Sequence, residues 1–270
     1  MKDHKNKTQS NRSSLKLLWI FCLLVVLAVV FSLGYRLFTL MRESKFDGQH
    51  QFIVAFINNA DVDVVSVNPS QKAYNHLQIR GGKNSSDDLQ QAGVIPDSYI
   101  TLPKPFSLDS LSEYFSEAAW HQGNVTSPLN LYDLYRLSLL TKHIDRQAIT
   151  SESVHIPFDQ TASSTMLEQL FIDDAIDQDN KTVAIINGAG LPGLGTRLEQ
   201  ALSLRGVNVI SVTNADGVKS SSKITYVGDK TYTVKRLSQL LSLPTEEVMT
   251  QGISDIIITL GKDKTTTTQF

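Results

Sequence analysis

Between Asn187 and Gly195 the chain reads Asn-Gly-Ala-Gly-Leu-Pro-Gly-Leu-Gly. Gly188, Gly190 and Gly193 spell G-x-G-x-x-G, and Gly195 follows. Between a strand and a helix, such glycines let backbone N–H groups come close to a phosphate. Three readings stand. Asn187, Gly188, Gly190, Gly193 and Gly195 form a tight strand-to-helix turn, with Pro192 suited to the first helical turn. Or they contact an anion or a glycan phosphate through N–H groups at the helix N-terminus. Or they hold a nucleotide, with Asp216 placed as a ribose-binding acid. Few elements follow Gly188, too few for a doubly wound sheet, which weighs against the nucleotide, and no cofactor is expected.

Other chemistry is sparse. Asp173, Asp174, Asp177 and Asp179 cluster without the spaced acids and central glycine of a calcium loop. They are expected to form a solvated acidic face. His4, His50, His76, His121, His143 and His155 show no pair at metal-ligand spacing on one face, so no metal site is expected. The single cysteine, Cys22, lies in an apolar run, which leaves the rest of the chain without a disulfide. No G-x-S-x-G elbow is present, and no catalytic residue can be named from the residues alone. Trp120 and Tyr114 beside Phe115 offer ring faces for stacking on sugars, but core packing is the expectation for aromatics at helical spacing.

These residues must be positioned by a chain with a strong boundary near its start. Leu17 to Tyr35 is apolar and uncharged. A helix of about 20 apolar residues crosses a bilayer core. Lys2, Lys5, Lys7, Arg12 and Lys16 precede the run, against Arg36, Arg42 and Lys45 after it. The positive-inside rule then places the N-terminus in the cytoplasm and the bulk of the chain outside. A cleaved signal peptide is the alternative, but Ser32-Leu33-Gly34 is a poor cleavage site and Arg36 follows closely. The lipid bilayer is thus an expected partner through Leu17–Tyr35. A net charge of -2 gives no sign of a nucleic-acid partner.

Residues 1–16 are expected to be a cytoplasmic tail, 17–35 the membrane helix, 50–158 a first α/β region, 159–181 a linker with one short helix, and 182–263 a second domain. In the first region, strands are predicted over Phe52–Ile57, Val62–Val67, Tyr74–Ile79 and Ser153–Phe158. Helices are predicted near Leu108–Phe115 and from Asn130 to Leu140. In the second domain the pattern is β-α-β-β-α-β, the order of the ferredoxin-like split arrangement. The fold class is α/β (α+β).

The stretch Val183 to Gly195, the strand Val209–Val212 with Asn214-Ala215-Asp216, and the ending Ile257 to Asp263 resemble the LytR C-terminal domain. That family implies a bacterial cell envelope and gives location more firmly than activity. The preceding region is similar to a shortened LytR-CpsA-Psr domain, from the strand Val62–Val67 with Asn68-Pro69, and from Asn124 through Leu134 to Pro157. Enzymes of that family attach wall glycopolymers from polyprenyl-pyrophosphate carriers, using arginines for the pyrophosphate and acids for metal. Here no arginine lies between Arg80 and Arg136, and Arg80-Gly81-Gly82 stands where the family has Pro-Arg-Asp. The resemblance therefore implies a reduced, non-catalytic envelope module that contacts wall glycopolymer or an assembly protein. The alternatives are a minimal transferase site around Asp61, Asp63 and Arg80, and a structural tether.

Overall fold

A computed structural model describes residues 6–58, 61–82, 85–142, 144, 148–156, 160–250 and 252–264. His4, His143, the predicted strand end at Phe158 and the tail after Lys264 lie outside the described residues. The chain divides into two compact units, Met1–Ser44 with Asn130–Tyr132, and Lys45–Leu129 with Asp133–Phe270.

The first unit holds one long helix, Asn6–Arg42 (α1). Its segment Lys16–Arg42 has a mean hydropathy of 2.9 and is long and apolar enough to cross a membrane. The helix begins within the stretch expected to be a tail. Once an apolar helix is nucleated, each further residue adds a hydrogen bond at little cost, so the polar Asn6–Ser14 stretch can extend it.

The second unit contains two five-stranded mixed sheets. The first is built from Phe52–Asn58 (β1), Asp61–Asn68 (β2), Ala73–Arg80 (β3), Ser98–Thr101 (β4) and Ile149–His155 (β5). Their order is β4-β1-β2-β3-β5. β1 pairs antiparallel with β2, and β2 with β3, while β4 and β5 join the edges in parallel. Strand β1 is an inner strand, and its apolar run Phe52–Phe56 is buried on both faces, as an unbroken apolar sequence requires. Phe52, Val54 and Phe56 pack under Leu111–Trp120 (α3) and Leu131–Thr141 (α4). Tyr114 and Phe115 join this core as expected, but Trp120, at the end of α3, is 73% exposed and does not. Ile53 and Ala55 pack on the other face, beside Ser85–Gln91 (α2) and Gln160–Phe171 (α5).

The second sheet follows the short helix Asp174–Asp179 (α6). In chain order come Thr182–Asn187 (β6), Leu194–Ser203 (α7), Asn208–Asn214 (β7), Lys223–Val227 (β8), Tyr232–Leu241 (α8), Thr245–Val248 (β9) and Ile256–Leu260 (β10). The strand order is β7-β6-β10-β8-β9. This departs from the ferredoxin-like arrangement. In a split unit another strand lies between the first two parallel strands. Here β6 and β7 pair directly, β6 also pairs in parallel with β10, and a fifth strand is added. The order of elements along a chain does not determine which strands become neighbours. The extra strand, Thr-Glu-Glu-Val, carries no apolar alternation that would announce it.

The expected linker is part of the core. Leu167, Leu170 and Phe171 of α5 are buried with the first sheet, and Ile176 of α6 is buried with the second. Its acids are also used. Asp173 caps α6 by accepting the Ala175 N–H at 3.1 Å. Asp179 accepts the Thr233 N–H at 2.9 Å, at the N-terminal end of α8. Burial pushes the Asp179 carboxyl up, but the Thr233 and Thr231 hydrogen bonds outweigh it and hold it below the usual range. Ile95 packs in the second core and Leu204 in the first, so the two sheets share their apolar contacts.

Candidate functional site

The polar counterpart of those shared contacts is a buried ionic cluster. Asp97 precedes β4 and is tied to β1 by reciprocal backbone bonds with Ile53. Its own N–H donates to the Ile53 carbonyl at 2.8 Å, and its carboxylate accepts the Ile53 N–H at 2.7 Å. The same Oδ2 accepts from Arg236 Nη2 at 2.8 Å, on α8, and from Arg205 Nη1 at 3.3 Å, just after α7. The three side chains are 3%, 7% and 2% exposed for Asp97, Arg236 and Arg205. Asp173 supplies the second negative charge, 3.5 Å from Arg236 Nε, and accepts from the Tyr232 hydroxyl at 2.9 Å. Two arginines and two aspartates balance, which is what a water-excluded cluster needs. Burial alone would raise the Asp97 carboxyl pKa, but Arg205 and Arg236 hold it below its ordinary value. Burial, reinforced by the Asp173 charge, keeps the Tyr232 phenol protonated well above its ordinary range.

Beside this cluster lies a cleft of about 590 Å³, within the size range of small-ligand sites. Three segments form it: residues 48–51 leading into β1, the β2–β3 turn at 68–71, and residues 173–178 of α6 and its cap. Asn68 shapes the turn, its Oδ1 accepting from Ser70 and from the Gln71 N–H. Gln71 Nε2 donates across the cleft to Asp174. His50 pairs with Asp47 and lies against the Tyr232 ring, with centroids 4.3 Å apart. None of these cleft residues stood out in the sequence as a site. They come from three stretches that only the fold brings together.

Asp61, Asp63 and Arg80 do converge on one face of the β2–β3 hairpin. The register that sets Val62 opposite Ile79 and Asp63 opposite Gln78 carries Asp61 to Arg80, and the two form an ion pair. Asp63 is buried and engaged elsewhere. Its Oδ1 meets His76 Nε2 at 2.9 Å, and Gln78 Nε2 donates to it at 3.4 Å. His76 Nδ1 in turn lies 2.8 Å from Ser151 Oγ on the edge strand β5. Ser151, His76 and Asp63 thus run nucleophile, base and acid across three strands, the order of an acyl-transfer triad. The same contacts satisfy both nitrogens of a buried imidazole, which also lies against Phe106 at 5.3 Å. His76 and Ser151 were invisible in the sequence because 75 positions separate them and neither sits in a motif.

The glycine loop is a closed turn with a structural reason for each glycine. A Cβ on Gly188 would meet the Leu260 carbonyl oxygen at 2.9 Å and Lys219 Cγ at 2.6 Å. One on Gly195 would meet Val212 Cγ1 at 2.8 Å. Gly190 and Gly193 both have φ of 77°, where side chains are strained. Asn187 staples the loop, donating to the Leu191 carbonyl at 2.8 Å and accepting the Ala189 N–H at 3.2 Å. The Gly188 N–H donates to Leu260, so two of the loop's N–H groups are already used.

Residues 180–263 match a family model described as LytR cell envelope-related transcriptional attenuator. No curated protein matches the chain. Among solved structures, a crystallised fragment (residues 52–321) from Listeria monocytogenes, described as a candidate transcriptional factor, is 13% identical. The match covers 67% of this chain and 86% of that one, with a TM-score of 0.19, too low to bear on the fold. The matched span takes in β6 through β10 and fits a cell-envelope protein. The C-terminal domain, built on the second sheet, is thus the part of this chain that matches the LytR C-terminal domain family.

Proposed function

We propose that this is a membrane-anchored protein of the bacterial cell envelope. Its N-terminus is cytoplasmic and both sheets are extracytoplasmic. It contacts cell-wall glycopolymer or a wall-assembly protein without catalysing a reaction, and it has no nucleic-acid partner. The observation that carries this reading is the envelope-family match of residues 180–263 on a chain whose Lys16–Arg42 helix can span a bilayer.

The non-catalytic part is supported by where the charges go. A pyrophosphate must be held by several charge-assisted bonds against its own hydration. Arg80 is committed to Asp61, and Arg205 and Arg236 are buried on Asp97. Arg136 donates to the backbone carbonyls of Phe46 and Asp47. The described arginines of this face and of the cluster therefore serve the fold. Brief proteinase treatment of intact protoplasts tests the topology. The second unit is expected to be degraded while a cytoplasmic marker survives; protection of residues 45–264 until the membrane is lysed would refute it.

A further inference from the structure

The geometry points to the cleft between the 48–51 segment, the 68–71 turn and α6 as a binding site for neutral, hydroxyl- and acetamido-bearing saccharide, not for an anionic glycopolymer. This rests on the wall-contact reading above, but moves the contact from the attached glycopolymer to neutral wall glycan and gives it a place.

Composition of the lining is the first argument. Five of its residues are amides, Gln49, Gln51, Asn68, Gln71 and Gln178, and none is Lys or Arg. An amide side chain offers two N–H donors beside an acceptor oxygen. Vicinal hydroxyls and acetamido groups present the matching mixture of donors and acceptors at similar spacing. A phosphate or carboxylate polymer presents acceptors alone and needs cations or a concentration of N–H groups.

Charge is the second argument. The acids of the lining are Asp173 and Asp174. Asp173 is balanced from beneath by Arg236 and bonded by Tyr232, while Asp174 lies at the rim and accepts from Gln71. An incoming polyanion would meet this carboxylate with no cation in the lining to offset it. A neutral sugar would instead find in Asp174 one more acceptor for its hydroxyl groups.

The third argument is an unused polar atom. Gln51 is only 4% exposed and its backbone carbonyl accepts from Arg236 at 2.8 Å. Its side-chain Nε2 donates to the Leu170 carbonyl at 3.4 Å, but Oε1 has no partner. A buried acceptor left unpaired costs free energy, and because Oε1 is shut off from solvent, a ligand donor recovers that cost only when the Gln51 amide turns toward the cleft it lines. His50, its ring tilted 38° against that of Tyr232, adds a ring surface of the kind sugar faces pack on.

The test uses the full chain in detergent micelles or nanodiscs. An N-acetylglucosamine tetramer and poly(glycerol phosphate) are titrated by calorimetry against wild type and the double variant Gln71→Ala/Gln178→Ala. Both side chains are exposed, so the fold tolerates their loss. The tetramer is expected to bind saturably and to weaken about tenfold in the double variant, a few-fold for each lost hydrogen bond. The phosphate polymer is expected to bind more weakly at every salt concentration. No saturable binding of the tetramer, affinity unchanged in the variant, or preference for the phosphate polymer would each overturn the assignment. Sedimentation with whole cell wall in the same preparations separates the two failures. If wall binding persists while tetramer binding fails, the cleft assignment falls and the broader envelope reading stands.

Discussion

Replacing Asp97 by alanine removes one carboxylate and strands two arginines. Arg205 and Arg236 would remain buried, with Asp173 as the sole opposing charge of the cluster and the Ile95 and Gln51 carbonyls as neutral acceptors. One unit of positive charge is then buried without a counterion, and the Ile53 N–H loses its Asp97 Oδ2 acceptor. Breaking a buried pair from one side typically costs roughly 3–5 kcal/mol. Against a total of about 5–15 kcal/mol for a domain, that is a large share. At roughly 2–4 °C per kcal/mol for a domain of this size, the melting temperature should fall by about 6–20 °C. Because Asp97 joins the first sheet to α8 and the end of α7, both sheets should lose stability in one transition. The assay is urea and thermal denaturation of the full chain in micelles, with Asp229→Ala, at an exposed site, as the control. Adding Arg205→Met to Asp97→Ala should recover part of the loss, since a charge no longer needs burying. A loss under about 1 kcal/mol, the scale of an exposed ion pair, would refute the reasoning.

Three further outcomes follow from particular residues. Asp97 has its carboxyl pKa lowered from 3.8, so the unfolded chain binds the extra proton first. Its stabilisation is therefore present above the unfolded value and is lost as pH falls through the lower folded value. Wild type should lose urea stability steeply below about pH 4, with a shallower slope in Asp97→Asn; identical slopes would contradict the pairing. Gly188→Ala should cost about 1–3 kcal/mol through its clash with the Leu260 backbone, whereas Gly193→Ala, in open space, should cost only the positive-φ strain of about 1–2 kcal/mol; denaturation midpoints in the reverse order would overturn the turn geometry. Ser151 should not react with a fluorophosphonate probe under conditions that label a serine hydrolase, because its contact with His76 serves a buried imidazole; stoichiometric labelling abolished by Ser151→Ala would make the Asp63–His76–Ser151 line catalytic.

Local pattern and tertiary partnership divided what was readable. The strands at 52–58, 61–68 and 73–80 and the helix at 194–203 follow from apolar runs, alternation and turn residues. Ser85–Gln91 and Ser98–Thr101 did not, because they are short and their apolar residues lie in contacts made with distant parts of the chain. The stretch at 159–181 looked like a linker because its ends are polar and four aspartates cluster between 173 and 179. Yet Leu167, Leu170 and Phe171 supply a buried helical face, and Asp173 and Asp179 answer to Arg236, Tyr232 and Thr233. Acids are read as surface until their partners are known, and those partners lie more than fifty positions away. The glycine loop was legible in kind, since its spacing announced a strand-to-helix turn. The amide-lined cleft was not, because glutamine and asparagine carry no periodic signal and the three segments meet only in space.

The envelope-contact claim is tested most directly by co-sedimenting the full chain, in micelles, with isolated bacterial cell wall before and after the covalently attached glycopolymer is stripped off. Saturable binding that survives stripping is expected, since a cleft without basic residues should favour the neutral glycan backbone over the anionic polymer. Binding lost on stripping would move the contact to the polymer, and absence of binding to either wall would contradict the claim.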